Sequence, residues 1–144
     1  MNTRMFLLLL TGLVLVLFTV PAAHADEIVG IGGLRLDVKG NGGKGTPVIV
    51  WPRNGKMNQQ WSYNGREIRT ASGLCLDVKG RGGKGTQLIV WPCNGQSNQS
   101  WDWVADGTIQ SGNGMCMDVA GGKAVQGANV IIWPCHGRAN QQWR

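Results

Sequence analysis

LRLDVKGNGGKGTPVIVWPRNGKMNQQW, from Leu34 to Trp61, returns as LCLDVKGRGGKGTQLIVWPCNGQSNQSW, from Leu74 to Trp101, with 20 of 28 positions identical at an offset of 40 residues. A third version, MCMDVAGGKAVQGANVIIWPCHGRANQQW from Met115 to Trp143, carries one extra residue in its loop. The lead-in segments align as well: Ile28, Ile68 and Ile109 each precede a glycine, Gly33, Gly73 or Gly114, that opens a copy. Self-similarity at this period marks units that cannot bury an apolar face alone and share one core with their neighbours. The copies divide the chain at about 26–65, 66–106 and 107–144.

The GNGGKGT stretch, Gly40 to Thr46, spells G-x-G-x-x-G, the pattern of a dinucleotide-binding turn. Such a turn must open a helix, whose N-terminal N–H groups hold the phosphate. No helix-forming stretch follows, and the third copy loses the pattern. A Walker A loop fails too, because Lys44 is followed by Gly45 rather than Ser or Thr. These glycines are instead expected to supply left-handed turns. Glycine inside a helix costs about 1 kcal/mol, and glycine punctuates almost every window. Between the glycines lie VIVW, LIVW and VIIW, which are strand material. A repeat of about 40 residues holds four strands of usual length. The expected fold is all-β, with twelve short strands around a pseudo-threefold axis.

Residues 1–25 read as a secretory signal peptide. Arg4 is followed by an apolar run from Phe6 to Val20, and Ala23-His24-Ala25 forms a small-residue cleavage pattern. The run is 15 residues long, against the roughly 20 that a spanning helix needs. The mature domain is then 26–144, secreted, with no membrane insertion. Removing Arg4 takes the net charge from +6 to +5, a mildly basic surface that keeps a protein dispersed.

Three copies of an LDV-type strand, a loop, an apolar strand ending Trp-Pro and a final Q-x-W resemble the ricin-type lectin domain, a β-trefoil also similar to family 13 carbohydrate-binding modules. The Q-x-W motifs are Gln59-Gln60-Trp61, Gln99-Ser100-Trp101 and Gln141-Gln142-Trp143, and the resemblance covers the whole mature chain. It implies six barrel strands and six cap strands, with Trp61, Trp101 and Trp143 in the core. Trp103, without a counterpart in the other copies, is read as packing.

Four cysteines in a secreted chain suggest two disulfides. Cys75 and Cys93 are placed in copy two as Cys116 and Cys135 are in copy three, and copy one has Arg35 and Arg53 there. Both cysteines are missing together, as expected if the two face each other within a copy. The expected pairs are Cys75 with Cys93 and Cys116 with Cys135. Arg35 and Arg53 cannot be buried together unpaired. They are expected to splay into solvent and leave copy one the loosest third.

A neutral pyranose offers an aromatic ring one face of C–H groups, and offers a carboxylate or an amide its vicinal hydroxyls. Each copy supplies that set: Asp37, Trp51, Asn58 and Gln59; Asp77, Trp91, Asn98 and Gln99; Asp118, Trp133, Asn140 and Gln141. These positions match the family's site pattern. The resemblance implies that Asp accepts from hydroxyls, Trp stacks on the ring, Asn bonds a hydroxyl and Gln orients the Asp. Ile49, Ile89 and Ile131 stand where some family sites carry glutamine. The disulfides rank copies two and three above copy one.

The expected function is a metal-independent lectin for galactose-type or related glycans, using up to three equivalent shallow sites. Its partners are glycans, polysaccharides and cell-surface glycoconjugates. No cofactor, metal site, nucleic-acid site or enzymatic activity is expected. Glycoside hydrolysis needs two carboxyls about 5–9.5 Å apart, and the repeated aspartates belong to separate copies. His136, the one histidine after residue 25, has no nucleophile pattern beside it. Two alternatives stand: a protein-binding trefoil, such as a toxin-targeting subunit or protease inhibitor, and a basic trefoil gripping sulfated polysaccharide through Lys39, Lys44, Lys79, Arg81 and Lys84. A toxic or catalytic partner chain is not indicated either way.

Overall fold

A computed structural model describes residues 26–144, so the leader read at 1–25 lies outside the described residues. The described chain is all-β, with short 3-10 turns and no helix long and apolar enough to cross a membrane. Ten strands run in chain order: β1 (Arg35–Val38), β2 (Val48–Trp51), β3 (Trp61–Tyr63), β4 (Ile68–Thr70), β5 (Cys75–Val78), β6 (Leu88–Trp91), β7 (Trp101–Trp103), β8 (Ile109–Ser111), β9 (Cys116–Val119) and β10 (Val130–Trp133). Every pairing is antiparallel. Strands β3-β4-β5-β6 form one sheet, β7-β8-β9-β10 a second, and β1-β2 a hairpin.

The two remaining strand places of the twelve shrink to backbone pairs. Val29 bridges Arg35, and Val29 exchanges hydrogen bonds of 2.8 and 3.0 Å with Arg144. The last Q-x-W therefore closes on the segment that opens the described chain. Asp26 pairs with Trp61 in the same way, at 2.7 and 2.9 Å.

The core shows why the repeat exists. Its eighteen buried residues are six positions taken once from each copy. Ile28, Ile68 and Ile109 form one such layer, and Leu36, Leu76 and Met117 another. The innermost faces of β2, β6 and β10 supply Val50, Val90 and Ile132. Alternation along each strand sends these side chains inward and their neighbours outward. Trp61, Trp101 and Trp143 are buried, and each indole N–H donates to a backbone carbonyl, of Leu36, Leu76 or Met117, at 2.9–3.0 Å. A buried indole N–H needs such a partner, so each tryptophan fills volume and ties two segments of its copy together. Trp103 is half-buried, with its ring 6.0 Å from that of Tyr63.

Copies are stitched to one another by their central loops. Gly45 N–H donates to Val90 O and Val90 N–H to Thr46 O; Gly85, Thr86 and Ile132 repeat this, as do Gly127, Ala128 and Val50, all at 2.7–3.0 Å. The loop of each copy thus lies beside the Trp-bearing strand of the next, in a closed cycle. Gly40 and Gly80 take φ of 62° and 60°, the left-handed turn that their repeat position demands.

Disulfides join Cys75 to Cys93 and Cys116 to Cys135. Copy one departs from the arrangement expected of its arginines. Arg53 extends into solvent, its side chain 66% exposed, but that of Arg35 is only 20% exposed, and both reach Glu27, with Nε–Oε2 distances of 3.3 and 2.9 Å. A shared carboxylate resolves the like-charge problem of the two arginines in copy one. Burial disfavours the charged form of Glu27, but hydrogen bonds from Arg53 and Arg35 outweigh it and hold the carboxyl below its usual value.

Candidate functional site

Asp37 and Asp77 sit on β1 and β5, opposite Ile49 and Ile89, near the strand ends where the chain turns into the Lys39–Asn41 and Lys79–Arg81 3-10 turns. The 3-10 turns at Met57–Gln59 and Ser97–Gln99 bring an asparagine and a glutamine back against each aspartate. In copy one, Oδ2 of Asp37 accepts from Gln59 Nε2 at 2.8 Å and from Asn58 Nδ2 at 3.0 Å. In copy two, Oδ2 of Asp77 accepts from Gln99 at 2.8 Å and from Asn98 at 3.1 Å.

The glutamines are anchored at both ends of their amides. Gln59 Nε2 also donates to Pro52 O, and its Oε1 accepts from Asn54 N–H. Gln99 does the same with Pro92 and Asn94. Each amide therefore fixes the aspartate to the segment following the Trp-Pro pair. With Oδ2 committed twice, Oδ1 of Asp37 and Asp77 has no hydrogen-bond partner among the described residues. Burial pushes both carboxyls above the usual carboxylate value, against the hydrogen bonds from Gln and Asn that pull them down. Asn58 Oδ1 and Asn98 Oδ1 are buried acceptors without partners. Such atoms in a native fold need a donor from water or a bound molecule.

Open clefts lie in front of both aspartates. The first, ≈ 710 Å³, places Asp37, Asn58 and Trp51 on one wall system with Lys39 and Lys56. The second, ≈ 530 Å³, does so for Asp77, Asn98 and Trp91 with Lys79 and Arg81. Trp51 and Trp91 are each 37% exposed at the strand ends, with ring surface available to a ligand. Gly127 and Gly45, from the loops of the neighbouring copies, complete the two clefts. Gln59 and Gln99 are fully buried behind the aspartates, outside the cleft walls.

Copy three is built differently. Gln141 Nε2 donates to Asp118 Oδ2 at 2.8 Å, but Asn140 reaches only Val119 O, at 3.4 Å. His136 takes the place of Asn54 and Asn94. Its Nδ1 accepts from Arg138 N–H at 3.0 Å, which leaves Nε2 as the protonated nitrogen, 3.5 Å from Asp118 Oδ2. The loop after β9 turns through Gly121 and Gly122 rather than a 3-10 turn, and Trp133 is half-buried. Copies one and two thus form a matched pair and copy three stands apart, a division different from the ranking by disulfides.

Sequence reasoning missed His136, Asn54, Asn94 and the neighbour-copy glycines as site components. A signal for His136 was present: it is the one place where the three Trp-Pro-x-x segments swap an amide for an imidazole. The glycines carried none, because their neighbours lie in another copy.

A family model for the ricin-type beta-trefoil lectin domain matches residues 26–144. Among solved structures the chain is similar to a designed three-fold symmetric protein, ThreeFoil, at 31% identity and TM-score 0.76, covering 82% of this chain and 94% of that one. It is also similar to the agglutinin from Abrus precatorius, at 26% identity and TM-score 0.73, covering 82% and 46%. A non-toxic homologue of type II RIPs from Momordica charantia, solved with α-methyl-D-galactoside, matches at 26% identity and TM-score 0.72, covering 82% and 45%. The chain spans less than half the length of the two plant proteins. No curated protein matches it in sequence.

Proposed function

The chain belongs to the family of ricin-type β-trefoil lectin domains, and from that membership we propose that it is a secreted lectin binding galactose-type or related glycans without a metal, chiefly through the clefts of copies one and two. The observation that carries the reading is the two-amide lock on Asp37 and Asp77 beside an exposed tryptophan. A carboxylate held at one oxygen keeps the other for sugar hydroxyls, through charge-assisted bonds. The indole covers the C–H face of the ring. The asparagine lines the cleft beside the carboxylate and its Nδ2 helps hold that carboxylate in place.

The Momordica charantia relative solved with a galactoside supports the choice of sugar. The two disulfides fit an oxidising compartment. Each of these two clefts has a single acid in its wall, Asp37 or Asp77, and one carboxyl lacks the partner that glycoside hydrolysis requires. The chain is therefore read as a binding module. One monosaccharide site of this kind holds its ligand at about −4 to −5 kcal/mol, near millimolar. Several outward-facing sites gain roughly 10²–10⁴ on a multivalent surface.

A second reading is favoured by the cleft rims, where two basic residues accompany each aspartate: Lys39 and Lys56, then Lys79 and Arg81. It makes the ligand a sulfated polysaccharide. A glycan array on residues 26–144 at two salt concentrations, followed by competition with free galactose, separates the two. Salt-tolerant binding displaced by galactose supports the lectin reading. Binding that collapses with salt and ignores galactose supports the polyanion instead, and no glycan binding at all defeats both.

A further inference from the structure

We propose that Lys44 is a positioning residue for the cleft of the copy that follows it, holding Trp91 from behind, while Lys84 takes the equivalent place against Trp133. The inference rests on reading Trp91 and Trp133 as stacking platforms, and it adds a role for residues outside their own copies.

Strands β6 and β10 are flanked on both edges. One edge carries β5 or β9, the strands of Asp77 and Asp118. The other carries the preceding copy's loop, through Gly45 and Thr46 on Val90 and through Gly85 and Thr86 on Ile132. The lysine just before each of those glycines approaches the tryptophan from the edge opposite the aspartate. Its ammonium stands 4.4 Å from the ring centroid of Trp91 and 4.5 Å from that of Trp133. Gly45 is in the wall of the second cleft, and Lys44 is not. A Cβ on Gly45 or Gly85 would come within 3.7 Å of the ring. The loop therefore packs along the indole's rim and delivers the ammonium to the ring without entering the cleft.

An indole at a strand end, more than a third exposed, must be ordered when it stacks on a sugar, and ordering it on binding costs affinity. A cation over the ring pre-orders it through the aromatic quadrupole. Copy one lacks this device. Gly127 meets Trp51 as Gly45 meets Trp91, with a Cβ there 3.5 Å from the ring, but the lysine's register is held by Gln126. Trp51 is thus left without the cation. Lys44 and Lys84 are exposed, so replacing them leaves the fold in place.

The test has a ligand-free arm and a binding arm. By NMR, Lys44→Met should lower the order parameter of the Trp91 indole N–H, and Lys44→Arg should restore it. With Trp51 and Trp133 replaced by alanine, so that cleft two acts alone, Lys44→Met should weaken α-methyl-D-galactoside by about two- to fivefold, and Lys44→Arg should recover it. With Trp91 and Trp133 replaced instead, Gln126→Lys should tighten cleft one by a similar factor. An unchanged Trp91 indole in Lys44→Met overturns the proposal, as does a loss of affinity that arginine fails to rescue. If the parent protein binds no galactoside, the saccharide reading fails by itself and the ligand-free arm alone decides the role of Lys44.

Discussion

His136 Nε2 stands 3.5 Å from Asp118 Oδ2, the oxygen position that Asn58 and Asn98 occupy on the aspartates of the other two copies. The imidazole has displaced Asn140, whose amide is left on Val119 O alone. Copy three therefore meets its carboxylate with an imidazole where copies one and two use an asparagine amide. His136→Asn should restore the amide pattern of copies one and two and raise galactoside affinity there, in a variant lacking Trp51 and Trp91. A recovered hydrogen bond is worth about 1 kcal/mol, or roughly fivefold in the dissociation constant by titration calorimetry. Unchanged or weaker binding would show that His136 is not what sets copy three apart.

Platform and scaffold should separate in copy one. Trp51 is exposed at a strand end, so Trp51→Ala should abolish binding at its cleft while moving stability by only about 0.5 kcal/mol. Gln59 is buried and bonds Asp37, Pro52 and Asn54 at once. Gln59→Ala strands those partners and should cost roughly 2–4 kcal/mol as well as the site. Urea unfolding beside calorimetry on both variants checks the split.

Acid should silence clefts one and two early. Burial raises the Asp37 and Asp77 carboxyls above the ordinary 3.8, and only the ionised form accepts fully from sugar hydroxyls. On lowering the pH, affinity should fall at a higher pH than an unperturbed aspartate would dictate. Stability carries the opposite sign for these groups. Their contribution is fully present below the unfolded value and lost as pH rises through the raised folded value. A binding titration beside a thermal melt across mild acid should show affinity declining with no loss of stability traceable to these two carboxyls.

Glu27 answers acid in the reverse direction. Its folded value lies below 4.5, so its stabilisation is present above that value and is lost as pH falls through the folded one. Exposed ion pairs give about 0.2–1 kcal/mol each, against roughly 3 kcal/mol for a disulfide closing a loop of this size. Glu27→Gln should therefore cost on the order of 1 kcal/mol and speed hydrogen exchange in β1 and β2 while copies two and three stay protected. Equal protection of all three copies in that variant would assign the Arg35–Glu27–Arg53 cluster no share in holding copy one.

Much of the molecule was written in its sequence because each environment is specified three times. A core layer such as Leu36, Leu76 and Met117 recurs since symmetry-related places demand the same apolar volume, and periodicity exposes that demand without coordinates. The aspartate, tryptophan and amide sets were legible for the same reason. The departures from symmetry behave differently. Glu27 between Arg35 and Arg53, His136 on Asp118 and Lys44 behind Trp91 each depend on which segments meet across 8 to 47 residues of chain. A repeat shows that arginine replaces cysteine or histidine replaces asparagine, but not what the newcomer touches. Hydrogen bonds and cation–π contacts act only within a few ångströms, and loop packing between neighbouring copies alone decides which side chains come that close.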